Sequence, residues 1–207
     1  MEARLRIRPA EPSDAPLLAR LRNDPETLLY LHDANQYSAA HTARWLADLP
    51  HHSRRYVVWE EADAKALESG AAPPVGAPSA TPRRRDAGTE IAEAAETFVG
   101  LVRVDRSDWV NRNCMVGLDV APAFRGRGYA VRVYEWLLEY LFAHLNMHMV
   151  YLEVLESNVR ARRLYERLGF RVEGALREKV FRHGRYEHSI LMSLLASEYA
   201  AARRESP

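Results

Sequence analysis

The sequence predicts one α/β domain in which a mixed β-sheet carries helices on both faces. Short segments of alternating or mostly apolar residues, typical of strands, are spread along the chain. Between them, apolar residues recur every three to four positions behind a capping residue, which is typical of helices. We expect strands at residues 5–8, 56–59, 97–104, 114–120, 149–154, 170–181 and 186–194. We expect helices at residues 13–22, shortly after residue 25, and at 38–49, 128–144 and 157–168.

Particular residues set the helix boundaries. Ser13 and Asp14 are expected to cap the first helix, because both residue types accept hydrogen bonds from the free N–H groups of a first turn. Pro25 ends that helix. Ser38 is expected to cap the third helix, and Gly169 occupies the favoured position after the last one.

Two turns and a frayed terminus complete the prediction. Ser107 and Asp108 are expected to form a turn, and His183 with Gly184 is expected to join the last two strands. Residues 200–207 are polar and are expected to fray.

Composition and charge narrow the classes to which the protein can belong. The 207 residues are 47% hydrophobic and 28% charged, which is ordinary for a folded domain with a proper core. A formal net charge of +1 gives no general attraction to nucleic acid or membranes. The N-terminus does not resemble a signal sequence, and no apolar run approaches the ~18 residues of a membrane span. Cys114 is the only cysteine. We therefore expect a cytoplasmic protein with no internal disulfide, no nucleic-acid partner and no membrane partner.

Residues from about 63 to 96 interrupt the pattern. Prolines recur there among glycine, alanine and serine, and Arg83-Arg84-Arg85 follows them. This composition favours a flexible surface excursion within a single domain at 1–207. A role in docking a partner or covering the substrate is left open. The arginine run is more typical of a solvated surface than of an anion site.

The segment from Arg125 to Ala130 lies between a predicted strand and a predicted helix. Backbone N–H groups at a helix start lack partners, and the helix dipole adds partial positive charge, so a diphosphate fits there. Gly126 and Gly128 allow a ligand to approach the backbone closely, and Arg125 and Arg127 add positive charge. A plain strand-to-helix turn would use the same residues. The segment has neither Walker spacing nor the dinucleotide pattern G-x-G-x-x-G.

Two motifs at a characteristic separation favour the ligand-binding interpretation. The first is Arg/Gln-x-x-Gly-x-Gly/Ala, which Arg125, Gly128 and Ala130 match. The second, Asn-x-x-Ala-x-x-x-Tyr, runs from Asn158 to Tyr165 and is followed by Leu-Gly-Phe. With these motifs the chain resembles the GNAT superfamily of N-acetyltransferases.

Further segments indicate a branch of that superfamily. The run Arg22-Asn23-Asp24-Pro25-Glu26 is similar to ribosomal-protein N-terminal, spermidine and amino-sugar acetyltransferases. Glu173-Gly174 and Gly184-x-Tyr186 fit the end of the same family. The resemblance covers nearly the whole chain outside the insertion. It implies a mixed, mostly antiparallel sheet that splays open between its fourth and fifth strands, with a possible homodimer.

The resemblance also implies a ligand and its binding residues. The cofactor is acetyl-CoA, used as a co-substrate, and its pantetheine arm would pair with the exposed edge of the fourth strand as an added strand does. The implied cofactor-binding residues are Leu118, Asp119, Val120, Arg125, Gly126, Arg127, Gly128, Tyr129, Ala130, Asn158 and Tyr165.

The implied reaction is direct attack of an amine on the thioester in a ternary complex. The amine must lose its proton, because a primary amine with a pKa near ~10.4 is mostly protonated at neutral pH. The tetrahedral oxyanion needs donors, for which backbone N–H groups at 118–120 are expected. Tyr165 is the expected general acid for the leaving thiolate.

The general base is left open. Many relatives place a glutamate early in the fourth strand, but Cys114 and Met115 stand there and cannot serve. The remaining possibilities are a bridging water, an amine that is already neutral, or one of the side chains Asp119, Glu153, His32 and Asp33.

The acceptor is expected to be an amine-bearing small molecule or a peptide N-terminus. It would lie against the first two helices, the segment 28–37 and the last hairpin at 177–187. Carboxylates that are candidates for attracting a cationic acceptor are Asp24, Glu26, Asp33, Glu178 and Glu187. No histidine spacing indicates a metal site, so no metal is expected. The alternatives are a different acyl-CoA donor, a hydroxyl acceptor, or a regulatory module that binds CoA without catalysis.

Overall fold

The computed structural model describes residues 4–33, 35–61, 96–182 and 184–205. The strands are β1 Arg4–Pro9, β2 Arg54–Glu61, β3 Glu96–Asp108, β4 Asn113–Val120, β5 Met149–Leu155, β6 Arg171–Arg182 and β7 Arg185–Leu195. They form one sheet in the order β1-β2-β3-β4-β5-β7-β6. Neighbouring strands are antiparallel except for the parallel pair β4 and β5. The prediction of a mixed, mostly antiparallel sheet is therefore confirmed.

The predicted helices are present with small shifts at their ends. They are α1 Ala15–Asn23, α2 Pro25–Leu28, α3 Ala39–Ala47, α4 Tyr129–Glu139 and α5 Val159–Arg167, and a sixth helix, α6 Ala196–Glu205, is not among the predicted ones. A π-helical turn at Tyr140–His144 continues α4, and 3-10 turns lie at Pro12–Asp14 and Pro122–Phe124. Of the predicted insertion, residues 63–95 lie outside the described residues, and Glu96 belongs to β3 instead.

Both faces of the sheet are covered. Val57 and Val58 are consecutive in β2 and point to opposite faces, yet both are fully buried. On one face, Val57 and Leu101 pack with α1 and α3. On the other, Val58 belongs to the main core, to which α4 contributes Val133 and Leu137. Helices on both faces are thus confirmed, and the sheet is held rigid between two apolar layers.

The first helix begins at the predicted place, but the cap works differently. The Ser38 hydroxyl caps α3 by accepting the N–H of His41, as predicted. The carboxylate of Asp14 instead accepts two hydrogen bonds from Arg8, at 2.7 and 2.8 Å, and one from the N–H of Glu11. The capping role of Asp14 was therefore predicted wrongly, because a nearby arginine competes for the carboxylate.

Two further predictions are corrected. Ser107 and Asp108 are the last residues of β3, and the turn follows them at 109–112. Asp108 starts that turn, since its carboxylate accepts the N–H groups of Val110 and Asn111 at 2.9 and 2.8 Å.

The C-terminal residues up to 205 form a helix and do not fray. Tyr199 in α6 stacks on Phe142 with ring centroids 4.9 Å apart. Arg203 donates to the Tyr199 hydroxyl at 2.7 Å and pairs with Glu139 of α4 at 3.4 Å. These contacts come from a distant helix, so the local polarity of the segment was misleading.

Candidate active site

The sheet opens between β4 and β5. These strands pair over three residues only, 113–115 opposite 149–151. Beyond that point β4 runs on to Val120 paired with β3, and β5 runs on to Leu155 paired with β7. Within the described residues, the β4 edge that faces this gap therefore has backbone groups without a strand partner. The residues predicted to pair with the pantetheine arm lie on this edge: Leu118, Asp119 and Val120.

A glycine loop lies where β4 leads into α4. Gly126 and Gly128 both have left-handed backbone angles, with φ of +80° and +84°. Gly128 is the N-cap of α4 and supplies no side chain to cap the first N–H groups of the helix. No heavy atom lies within 4 Å of a Cβ placed on Gly128, so the space beside this residue at the helix start is open. The loop has the geometry that an anion requires at a helix start.

The arginines of the loop have different surroundings. Arg125 turns its guanidinium toward the protein, where Nε donates to the Val120 carbonyl at 3.0 Å and Nη2 donates to Thr27 at 2.6 Å. Nη1 of Arg125 also contacts Glu26 at 3.2 Å. Arg125 therefore ties α2 to the end of β4, and its backbone is the part that borders the loop. Arg127 is exposed.

The aromatic residue of the loop is part of the core. Tyr129 is 5% exposed, and its hydroxyl donates to Glu60. Ala130 follows it in the first turn of α4. Tyr129 and Ala130 can thus offer a ligand their backbone, while the Tyr129 side chain anchors the helix start.

A further arginine, which the sequence did not point to, lies beside the loop. The guanidinium of Arg160 lies 3.0 Å from the Cβ position of Gly126. Arg160 also lines an open cavity of about 740 Å³ on α5, together with Val159, Arg163, Glu166 and Arg167. In the sequence, Arg160 belongs to a run of arginines that follows Asn158. Such a run is also typical of a helix face that is exposed to solvent. The structure makes Arg160 a candidate for contacting phosphate.

Tyr165 lies in the core, in the last turn of α5. It is 9% exposed, and its ring packs edge-on against Tyr134 at 5.5 Å between centroids. Burial raises the pKa of Tyr165, and of the two nearby charges on β3 and β4, Arg103 lowers that pKa and Asp119 raises it. The Tyr134 hydroxyl donates a hydrogen bond to the Tyr165 hydroxyl at 3.5 Å. This hydrogen bond lowers the pKa of Tyr165. Tyr165 is therefore protonated at neutral pH and lies close to the gap.

Asn158 is the N-cap of α5. Its side-chain oxygen accepts the N–H of Ala161 at 3.1 Å. Among the residues that the structure describes, the side-chain NH2 group of Asn158 has no hydrogen-bond partner and can donate to a ligand. Asn158 thus begins the helix that holds Tyr165, two turns away from it.

On the other side of the gap, four polar side chains from three parts of the chain meet. The carboxylate of Glu153 in β5 accepts from Lys179 Nζ at 2.5 Å and from the Ser189 hydroxyl at 2.9 Å. His32 Nε2 lies 2.8 Å from Ser189 Oγ and 3.7 Å from Glu153. Burial lowers the pKa of His32, although the Glu153 charge opposes this. Burial would raise the pKa of Glu153, but the hydrogen bonds from Lys179 and Ser189 outweigh it and hold that pKa below its usual value.

The other candidate bases have different environments. Cys114 is fully buried in the core, where burial raises the pKa of its thiol to about 12. Asp119 accepts a hydrogen bond from Arg103 at 3.1 Å. Asp33 accepts from the Tyr37 hydroxyl at 2.6 Å. Glu153 is the candidate whose carboxylate lies in β5 beyond the point where the strands separate.

Most carboxylates that were considered for a cationic acceptor have other partners. Asp24 caps α2 by accepting the Thr27 N–H at 2.9 Å, and Glu26 pairs with Arg125. Glu187 accepts from the Ser157 hydroxyl at 2.6 Å. Glu178 is exposed and has φ of +53°. Three of these four carboxylates therefore already accept a hydrogen bond or an ion pair.

Across the part of the chain that the structure describes, no three His, Cys, Asp or Glu side chains come together to hold a metal ion. No helix among those residues is both long and apolar enough to cross a membrane.

The chain is similar to several acetyltransferases. It is 35% identical to the spermidine N(1)-acetyltransferase of Vibrio cholerae over 109 residues, which are 53% of this chain and 63% of that protein. It is 32% identical to the Escherichia coli K12 enzyme of the same name over 55% of this chain and 61% of that protein. The matches thus span less than two thirds of these relatives. A putative ribosomal N-acetyltransferase of Bacillus subtilis, YdaF, is 26% identical over 93% of this chain and 92% of that protein.

The fold is shared with a solved structure. A crystal structure of spermidine N-acetyltransferase from Vibrio cholerae in complex with CoA and spermine superposes with a TM-score of 0.74 and 26% identity. It covers 95% of this chain and 98% of that one. The family described as an acetyltransferase (GNAT) domain matches residues 4–171. Together with the splayed sheet and the glycine loop, this match shows that the chain belongs to the GNAT acetyltransferase family.

Proposed function

We propose that this chain transfers an acetyl group from acetyl-CoA to a primary amine by direct attack in a ternary complex. The observation that carries the proposal is the gap between β4 and β5, which begins beyond residues 115 and 151 and opens toward the glycine loop, with Tyr165 near Asp119 of β4 and with Glu153 in β5. Family membership supports the reaction, and the complex of a structural neighbour with CoA supports the donor.

The donor would lie along the β4 edge. The diphosphate would meet the free N–H groups at the start of α4, with Gly126 and Gly128 allowing close approach and Arg127 and Arg160 adding positive charge. The pantetheine arm would pair with backbone groups at 118–120, and the Asn158 amide would donate to it. In this arrangement the backbone supplies most of the donor contacts.

The amine would lose its proton to Glu153, with Ser189 and His32 beside it. A carboxylate whose pKa lies below its usual value is ionised at neutral pH and can accept a proton. Burial keeps His32 neutral, so it can also accept one. Lys179 has to leave Glu153 before an amine can take its place, because its ammonium is 2.5 Å from the carboxylate.

The neutral amine nitrogen would then attack the thioester carbonyl and form a C–N bond, and as the amide forms this nitrogen would release its second proton to solvent, to which Glu153 also passes the first. Backbone N–H groups of the β4 edge would stabilise the oxyanion. When the C–S bond breaks, Tyr165 would donate its proton to the CoA thiolate. The hydrogen bond from Tyr134 would stabilise the phenolate that remains, and solvent would return the proton.

Two measurements test this function. The midpoint of thermal unfolding should rise with acetyl-CoA, since a ligand that binds only the folded state stabilises it, by about 2.7 kcal/mol at one hundred times Kd. Free thiol should then appear when acetyl-CoA and an amine are both present. A chain that shows neither response is not an acetyltransferase. A chain that binds acetyl-CoA but releases no thiol with any amine is a regulatory module.

The cytoplasmic location and the homodimer stay predictions. Exposed apolar side chains on the β6–β7 hairpin support the homodimer: Val172, Leu176, Phe181 and Tyr186. Light scattering of the purified chain measures its mass in solution directly.

A further inference from the structure

An amine of the protein itself contacts the proposed base Glu153. Lys179 Nζ lies 2.5 Å from Glu153 Oε2, the same oxygen that accepts the Ser189 hydroxyl at 2.9 Å. The Glu153 side chain is 7% exposed, whereas that of Lys179 is 39% exposed. The carboxylate is thus mostly buried, while the lysine paired with it remains partly accessible to solvent.

A bulge in β6 directs Lys179 to this position. Three residues of β6, 177–179, lie opposite the single β7 residue His188. Within the bulge, Glu178 has φ of +53°, and its N–H donates to His188 Nδ1 at 3.0 Å. Bulges often re-aim a side chain next to an active site. Here the bulge allows Lys179 to reach across β7, which lies between β6 and β5, to Glu153.

Lysine is a rare residue in this chain. The sequence contains two lysines among its 29 lysines and arginines, and the other one, Lys65, lies outside the described residues. An arginine would also pair with Glu153, but a guanidinium does not lose its proton in a protein. A lysine amine becomes a nucleophile once it is deprotonated. Among the described residues, Lys179 is the only side chain that can act in this way.

The strand register places Glu153 at the level of the proposed oxyanion site. The pairing of β4 with β5 ends at Met115 opposite Tyr151. Two residues further along β5, Glu153 is level with Gly117, directly before the β4 edge at 118–120. A thioester whose carbonyl oxygen is held by N–H groups of that edge would therefore lie at the height of Glu153 and of the amine paired with it.

Glu153 also faces the side of the sheet where the acceptor is expected. Leu152 and Val154 flank it in β5 and are buried in the main core on the α4 face. Because successive side chains of a strand point to opposite faces, Glu153 points to the face that α1 and α3 cover. His32, from the segment between α2 and α3, lies 3.7 Å from Glu153. Lys179 thus approaches the gap from the side that an external amine would use.

We propose that Lys179 is a self-acetylation site, whose Nζ accepts the acetyl group of acetyl-CoA bound to the same chain. The inference rests on the proposed acetyl transfer and names an acceptor that the chain itself carries. No binding step is needed, because the ammonium already contacts the base, and such proximity favours reaction. The acetylated side chain is uncharged, so the ion pair with Glu153 is lost.

The reaction follows the proposed acetyl transfer. Glu153 takes one proton from the Lys179 ammonium, and the neutral Nζ attacks the acetyl carbonyl carbon. A C–N bond forms, the C–S bond breaks, and the CoA thiolate takes the proton of Tyr165. The nitrogen releases its second proton to solvent, Glu153 passes on the first, and Tyr165 is protonated again. The products are Nε-acetyl-lysine, CoA with a free thiol and one proton.

Mass spectrometry of the full chain tests the modification. The protein is incubated with acetyl-CoA and no added amine. Its intact mass should rise by one acetyl group while an equal amount of free thiol appears, and peptide mapping should place the group on Lys179. Since the step occurs within one chain, the fraction modified per unit time should be unchanged when the protein is diluted about tenfold. A rate that rises with protein concentration, or an acetyl group on other residues only, would overturn the proposal.

Variants distinguish self-acetylation from chemical acetylation of an accessible lysine. Glu153→Gln should slow the modification about 10²-fold, and any acetyl group found on Lys179 before incubation should be reduced in the same variant. Arg171→Lys is the matched control, because Arg171 begins the same strand and contacts a carboxylate, Glu198, at 2.9 Å. Position 171 should stay unmodified in that variant. Equal acetylation at positions 171 and 179, or an unchanged rate in Glu153→Gln, would overturn the proposal.

Thiol release separates this inference from the proposed function. Lys179→Arg should release no thiol when acetyl-CoA is present without an added amine. Thiol release with an added amine, but no acetyl group on Lys179 in the unmodified sequence, would overturn the self-acetylation and leave the proposed function in place. Absence of both would overturn the proposed function itself.

Discussion

The proposed donor side and the proposed acceptor side of the gap are built in different ways. The proposed donor side consists of a strand edge, a glycine loop and two helix starts, so most of its contacts with acetyl-CoA would come from backbone groups. The acceptor side consists of side chains that are far apart in sequence, such as His32 and Ser189, which are 157 residues apart and 2.8 Å from each other. Relatives of this chain are named as spermidine and as ribosomal acetyltransferases. Side chains on a shared backbone can therefore change specificity without changing the donor site.

The largest effect is expected at the residue between the two sides. Tyr165→Phe removes the hydroxyl and should lower kcat by about 10²- to 10⁴-fold, the range typical of a general acid. Binding of acetyl-CoA, measured by thermal shift, should hardly change, because the ring still packs in the core. Unchanged turnover in this variant would remove Tyr165 from the mechanism.

The next largest effect is expected on the acceptor side. Glu153→Gln should lower kcat/KM by about 10²-fold and leave acetyl-CoA binding intact. The exposed neighbour Glu156→Gln is the matched control.

The same variant should also change how stability depends on pH. The folded pKa of Glu153 is lowered, so its contribution to stability is present above its unfolded pKa of about 4.3 and is lost as pH falls through the lower folded value. The midpoint of thermal unfolding of Glu153→Gln should therefore fall less steeply below about pH 4.3 than that of the unmodified protein. Parallel pH curves would show that Lys179 and Ser189 do not stabilise the charge.

A smaller effect is expected on the donor side. Gly128→Ala forces a side chain into a left-handed conformation at a cost of about 1–2 kcal/mol, so acetyl-CoA should bind about tenfold more weakly or the midpoint of unfolding should fall. Gly174→Ala is the control, because no heavy atom lies within 4 Å of its Cβ position and its φ is ordinary. If Gly128→Ala and Gly174→Ala behave alike, the conformation of the loop does not matter for the donor.

The smallest effect is expected behind Tyr165. Tyr134→Phe removes the hydrogen bond that stabilises the Tyr165 phenolate, and that bond is long at 3.5 Å. We expect kcat to fall about threefold, since a weak neutral hydrogen bond contributes about 0.5–1 kcal/mol. The basic limb of the kcat–pH profile should move to higher pH, because the pKa of Tyr165 rises further. A structural role alone would leave that limb in place.

The sequence predictions are correct where neighbouring residues decide the structure and wrong where distant residues decide it. Strands and helices were located by local periodicity, and Ser38 capped α3 as expected, because these features depend on neighbours in the chain. Asp14 and the C-terminal helix were predicted wrongly because Arg8 and Phe142, which lie outside their local segments, decide their roles. Arg160 was missed because an arginine on an exposed helix has no local signal that separates phosphate binding from solvation.

By itself, the sequence determined the order of the elements, the glycine loop at 125–130 and the motif that ends at Tyr165. Each of these is a local pattern, since a helix start and a glycine turn need only adjacent residues. The tertiary structure decided how the β4–β5 gap opens, that Arg125 turns toward α2, and that Glu153 meets Lys179 and Ser189. These outcomes depend on which distant groups meet after folding, because burial and pairing set the charge of each side chain.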